Sequence, residues 1–113
     1  MDFAVNQDNG TAVVTTKVEK LNASNASELK AELVVLNKNN VNNIVINMSA
    51  TKYCDSSGLS AILVANRLCK DTNGKFVLCG LQSNVQKLIE IAQLDRVLTI
   101  TEGEKDALAF IES

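Results

Sequence analysis

The chain contains no histidine, no proline and no tryptophan, and Tyr53 is its only tyrosine. Without histidine there is no Ser-His-Asp triad, no imidazole acid–base chemistry and no His-ligated metal. So few aromatics provide no platform for stacked nucleobases. Without proline, the helix stops fall to asparagine and glycine. The three cysteines, Cys54, Cys69 and Cys79, are odd in number and lack C-x-x-C spacing. Each sits in an apolar run, so they read as small buried thiols in a reducing compartment, not as metal ligands. No uncharged apolar run is long enough to span a membrane. The acidic start, Met1-Asp2-Phe3, runs straight into a strand pattern and predicts no cleaved leader. The formal charge is −2 and the Lys and Arg residues are scattered, which argues against a nucleic-acid partner. There is neither a Gly-rich phosphate loop nor a paired carboxylate motif. We therefore expect no enzymatic activity, no cofactor and no metal.

What is present suits one domain over residues 1–113, with 46% of the residues apolar. Alternation predicts a strand over 2–7 and the β-prone run around Val13-Val14 a strand over 11–17, joined at Asp8-Asn9-Gly10. Asn-Gly between two β-prone runs marks a type I′ hairpin, whose central residues both need positive φ. Lys20-Leu21 reads as a short extension. Asn25 followed by Glu28 has capping-box spacing. Ala26, Leu29, Leu33 and Leu36 then recur at helical spacing, predicting a helix over 26–37. The run 43–48 reads as a central strand covered on both faces, reached by a parallel crossover. A strand over 75–79, a helix capped by Ser83 or Asn84, an edge strand over 97–100 and a last helix over 104–112 complete the order. Val85, Leu88, Ile89 and Ala92 share one face of the third helix, and Ala107, Leu108 and Ile111 one face of the last. The fold class is α/β: a mixed sheet opened by an antiparallel hairpin, with about four helices packed on it.

The organising stretch is Cys54-Asp55-Ser56-Ser57-Gly58-Leu59. It lies between the 43–48 strand, through the link 49–53, and a helix predicted over 57–70. Asp and Ser are common at helix starts because their oxygens accept bonds from otherwise unpaired N–H groups. The same residues also read as a phosphorylation site, since a helix N-terminus tolerates a phosphate. Both readings stand on the residues alone. On a wheel of about 100° per residue, Ala61, Ile62, Ala65, Leu68 and Cys69 form a core arc. Ser60, Asn66, Arg67 and Lys70 define a polar arc, and Leu59 and Leu63 fall inside it. Two leucines there predict a small exposed apolar patch, available for docking.

These residues, in this order, resemble the STAS domain, the family of bacterial anti-sigma factor antagonists. The motif reads Asp55-Ser56-Ser57-Gly58-Leu59-Ser60-Ala61-Ile62-Leu63. The N-terminal hairpin, Ile44-Val45-Ile46-Asn47, Phe76-Val77-Leu78-Cys79-Gly80, Val85-Gln86-Lys87-Leu88 and Asp106-Ala107-Leu108 extend the resemblance over nearly the whole chain. It implies a cytoplasmic partner switch. The unphosphorylated antagonist binds an anti-sigma factor that is also a serine kinase, and so frees the sigma factor. The kinase phosphorylates the first motif serine, here Ser56, with Ser57 as second choice, and a serine phosphatase of the PP2C type reverses this. The implied partner surface is Asp55, Ser56, Ser57, Gly58, Leu59 and Leu63, with Asn22 and Ser24 from the preceding turn.

Three departures bear on the partner. Glu19-Lys20-Leu21-Asn22 stands where the family often has Gly-x-Leu-Asp, Cys54 where Met is common, and Ser60 where Gly is common. Two alternatives compete. A STAS-like subunit of a lipid-transport ABC ATPase would usually carry Thr or Ala in place of the serine pair. A carrier bearing phosphopantetheine on Ser56 would be an all-helical bundle, against the strand patterns here.

Overall fold

The structure, a computed structural model, describes residues 2–113. The order is β1 (Phe3–Asp8), β2 (Thr11–Thr16), β3 (Lys20–Leu21), α1 (Ala26–Lys38), β4 (Asn43–Asn47), β5 (Tyr53–Cys54), α2 (Ser56–Asp71), β6 (Phe76–Cys79), α3 (Ser83–Ile91), β7 (Thr99–Thr101) and α4 (Glu104–Glu112). A 3-10 turn at Leu94–Arg96 precedes β7. Asn9 at φ 49° and Gly10 at φ 79° close the hairpin as the type I′ turn requires. The main sheet runs β1-β2-β4-β6-β7, antiparallel between β1 and β2 and parallel elsewhere.

The two-residue period of the strands divides the core. Ala12, Val14, Ile44, Ile46, Phe76 and Leu78 pack with buried residues of α1, α2 and α3. Val13, Val45, Val77 and Cys79 pack with Ala107, Leu108 and Ile111 of α4. Three helices therefore cover one face and one helix the other. The central strands are buried on both sides, which is why they read as apolar runs without alternation. Among the described residues, no helix is long and apolar enough to cross a membrane.

Helix ends show where local signals were overridden. Asn25 does not form the predicted capping box. Its Oδ1 accepts from the Asn22 backbone N–H at 3.0 Å, and its Nδ2 donates to the Lys20 carbonyl at 2.9 Å. The preceding turn has recruited it, and α1 has no side-chain cap. Neither Ser83 nor Asn84 caps α3; Gln82 holds that position without a capping bond. Gln82 Nε2 instead donates to the Ser49 carbonyl at 2.7 Å. Ala92, predicted to face inward, lies just past the end of α3 and is exposed. The last strand begins at Thr99, not 97, because the 3-10 turn takes up the intervening chain and leaves Val97 exposed. Asn40 and Asn73 take left-handed φ of 65° and 61° after α1 and α2, the stop that asparagine tolerates best among non-glycine residues.

Lys20-Leu21 does not extend β2. It pairs in parallel with Tyr53-Cys54, making a second, two-stranded sheet inside what the sequence showed as a link. A buried hydroxyl relay anchors that link. Thr51 Oγ1 donates to the Val18 carbonyl at 2.7 Å and lies 2.6 Å from Thr16 Oγ1. Each hydroxyl has one proton, so Thr16 donates to Thr51. Both threonines are fully buried. Thr51→Val removes the relay's middle and strands the Val18 carbonyl. We expect a loss of about 1–3 kcal/mol in chemical denaturation; a loss under about 0.5 kcal/mol, as for a surface change, would show the relay to be unimportant.

Candidate functional site

The site is the turn from β5 into α2, beyond the C-terminal end of the central strand β4. It is held from two sides. From the β3 side, the Asp55 N–H donates to the Leu21 carbonyl at 3.1 Å, continuing the β3–β5 ladder. From the helix side, Asp55 Oδ1 accepts from the N–H groups of Ser57 at 2.9 Å and Gly58 at 3.1 Å. Asp55 is thus the N-cap, in extended conformation, and α2 begins at Ser56, one residue earlier than predicted. Ser56 occupies the first helical position and is exposed; Ser57 is half-buried.

Gly58 is where the two supports meet. A Cβ there would lie 2.5 Å from Cys54 Sγ and 2.8 Å from the Leu21 carbonyl oxygen. Only a residue without a side chain lets α2 start this close to β3.

Two shallow depressions flank the turn. One is lined by Glu19, Lys20, Leu21, Asn22, Tyr53, Cys54 and Asp55. Tyr53 is 47% exposed there, with Lys20 Nζ 5.9 Å from its ring centroid. The other is lined by Ala23, Ala26, Ser27, Lys30, Ser56, Ser57 and Ser60. Asn22 Oδ1 accepts from the backbone N–H of Ser24 at 3.0 Å and from its hydroxyl at 2.6 Å, shaping the turn between the depressions. The fold therefore brings Asn22 beside Asp55, and Ser56 beside Ser57. Tyr53, Ser27 and Lys30 escaped the sequence reading. Ser27 and Lys30 sit on an ordinary helix, and a two-residue strand is too short to show a period.

Leu59 and Leu63 are not the exposed patch the wheel drew. Both are partly buried and pack against the main core. Asn66, from the polar arc, is buried at 9% exposure, while Leu68 of the core arc is only half-buried. A wheel assumes one buried side, but α2 packs on the sheet and also alongside α1.

Cys69 and Cys79 are buried, whereas Cys54, at the rim in β5, is half-buried. Burial pushes all three thiols up from 9.0 to about 11, with the Asp55 charge adding at Cys54 and Glu104 at Cys79. A neutral thiol is a weak nucleophile.

The STAS domain family model matches residues 2–107, and the chain belongs to that family. A Bordetella bronchiseptica protein with the provisional name anti-sigma factor antagonist BtrV is 26% identical over 79% of this chain and 77% of its own length. An anti-sigma F factor antagonist of Paenibacillus polymyxa is 29% identical over 61% of this chain and 59% of its own length. Unphosphorylated SpoIIAA, an anti-sigma factor antagonist described as a Bacillus cell-fate determinant, superposes with a TM-score of 0.84 at 19% identity, covering 97% of this chain and 96% of that one. The mixed five-stranded sheet with its helices is thus the STAS architecture.

Two measurements check the supports of the turn. Asp55→Ala should cost about 0.5–2 kcal/mol, the usual worth of an N-cap. Gly58→Ala should cost about 1–3 kcal/mol through overpacking, and its amide spectrum should change at Leu21 and Cys54. A Gly58→Ala protein as stable as wild type would mean the close approach is not needed. Stability should also fall in alkali. The folded thiols ionise later than the unfolded ones, so their contribution is complete below pH 9.0 and lost as pH rises to about 11. Denaturation midpoints across that range should drop less in a Cys69→Ala, Cys79→Ala double variant.

Proposed function

We propose that residues 1–113 form one STAS unit acting as a cytoplasmic anti-sigma factor antagonist, without catalytic activity of its own. Unphosphorylated, it binds a serine-kinase-type anti-sigma factor and releases the sigma factor. Phosphorylation at Ser56 switches it off, and a PP2C-type phosphatase resets it. The observation that carries this reading is Ser56 itself: an exposed hydroxyl at the first position of α2, on a turn held by Asp55 and by the β3 ladder. A kinase can reach it without unfolding anything. The names of the curated relatives support the antagonist role, and SpoIIAA has been solved in a phosphorylated as well as an unphosphorylated form.

In the transfer, Ser56 Oγ forms a bond to the γ-phosphorus of ATP and ADP leaves. The hydroxyl proton goes to a base on the kinase, since this chain has no histidine to take it. The docking surface is Asp55, Ser56 and Ser57 with Asn22 and Ser24, and the parts of Leu59 and Leu63 that remain uncovered; Gly58, expected there from the sequence, is buried and shapes the turn from beneath. A phosphate there places about two negative charges beside the Asp55 carboxylate, where the partner must desolvate the turn.

The test is labelling by a serine-kinase-type anti-sigma factor of the source organism, with ATP. Wild type should take one phosphate and Ser56→Ala none, while Ser56→Ala keeps its binding. Ser56→Asp should bind at least tenfold more weakly, or about 1.4 kcal/mol. Label surviving in Ser56→Ala but lost in Ser57→Ala would move the acceptor by one residue. Recovery of an ABC-type ATPase in place of a kinase-type partner would overturn the reading.

A further inference from the structure

Two of the three first-turn N–H groups of α2 are already taken. An anion on Ser56 would ordinarily be met by the first-turn N–H groups of α2, but those of Ser57 and Gly58 are bound to Asp55 Oδ1. The capping carboxylate is itself negative and lies next to the acceptor. A phosphate on Ser56 therefore needs a counter-charge from elsewhere. The depression shared by Ser56, Ser57 and Ser60 contains one cation, Lys30, and no acid; its remaining polar member is Ser27. Lys30 is half-buried on α1. Its helical neighbours three and four residues away are Ala26, Ser27, Leu33 and Val34, so no acid on its own helix competes for it.

We propose that Lys30 is the counter-charge of the phosphate on Ser56, receiving it in the α1–α2 depression while Asp55 keeps its cap. The claim rests on Ser56 as the acceptor and adds the device that stabilises the phosphorylated state. The phosphate lies across α1 and α2, and the cation and three further hydroxyls, those of Ser27, Ser57 and Ser60, are positioned before it arrives. The phosphorylated form then needs no refolding of the turn. Its changed surface is the depression, filled with charge on the side facing α1.

The test installs phosphoserine at position 56 during translation, so that no kinase is involved. Its second ionisation is followed by phosphorus NMR around the usual pKa of about 6. In wild type it should lie lower than in Lys30→Met by about 0.5, the effect of one part-exposed opposite charge. Lys30→Arg should restore the wild-type curve, and added salt should shrink the difference. A residue that merely supported the fold would not move this titration. The second measurement needs no variant: the Lys30 side-chain ammonium resonance should shift on phosphorylation of wild type. Identical titrations in wild type and Lys30→Met, or an unmoved Lys30 resonance, would overturn the proposal. Failure of a kinase to label Ser56 would instead overturn the acceptor assignment, and this measurement would still run.

Discussion

One carboxylate organises the turn from β5 into α2. Asp55 Oδ1 takes two N–H groups of α2 while the Asp55 backbone N–H continues the ladder from Leu21. A residue bonded on both sides cannot drift, so Ser56, next in the chain, is presented from a rigid support. A side chain held this way has little conformational freedom left to lose. The same bonds leave Ser57 and Gly58 without free N–H groups for an anion at the helix start.

The rest of the fold makes that arrangement affordable in volume terms. Gly58 removes the side chain that would hold α2 away from β3. The Thr16–Thr51–Val18 relay fixes the chain between β4 and β5 without exposing its polar atoms. Parallel strands end together, so the loops after β2 and β4 meet on one edge. In open α/β sheets that edge is where sites form. Three helices pack on one face of the sheet, and the depression beside Ser56 lies at the seam between two of them.

The helix ends are instructive about local rules. Asn25 and Glu28 have capping-box spacing, yet Asn25 bonds to Asn22 and Lys20 instead. A turn that needs two partners wins over a cap that needs one. Asp55 shows the opposite outcome: there the local cap and the tertiary ladder act on different atoms of one residue, and both form. Leu59 and Leu63 mark the limit of the wheel, which projects a helix against one surface. This helix has two, the sheet and α1, and the added contact buries residues that a single-sided projection leaves in solvent.

Much of this protein was legible in one dimension because its signals are local or periodic. Asn9-Gly10 encodes its turn through positive φ, the central strands announce themselves as short apolar runs covered on both faces, and Asp55-Ser56 encodes a helix start through short-range bonds to N–H groups. Those interactions act within a few residues, so the chain alone specifies them. Tertiary structure decided what depends on segments far apart in sequence. It paired Lys20-Leu21 with Tyr53-Cys54, pressed Gly58 against Leu21, and brought Lys30 of α1 and Ser56 of α2 to the lining of one depression. No period or spacing announces such meetings, because they arise only when distant elements bury their apolar faces against a common sheet.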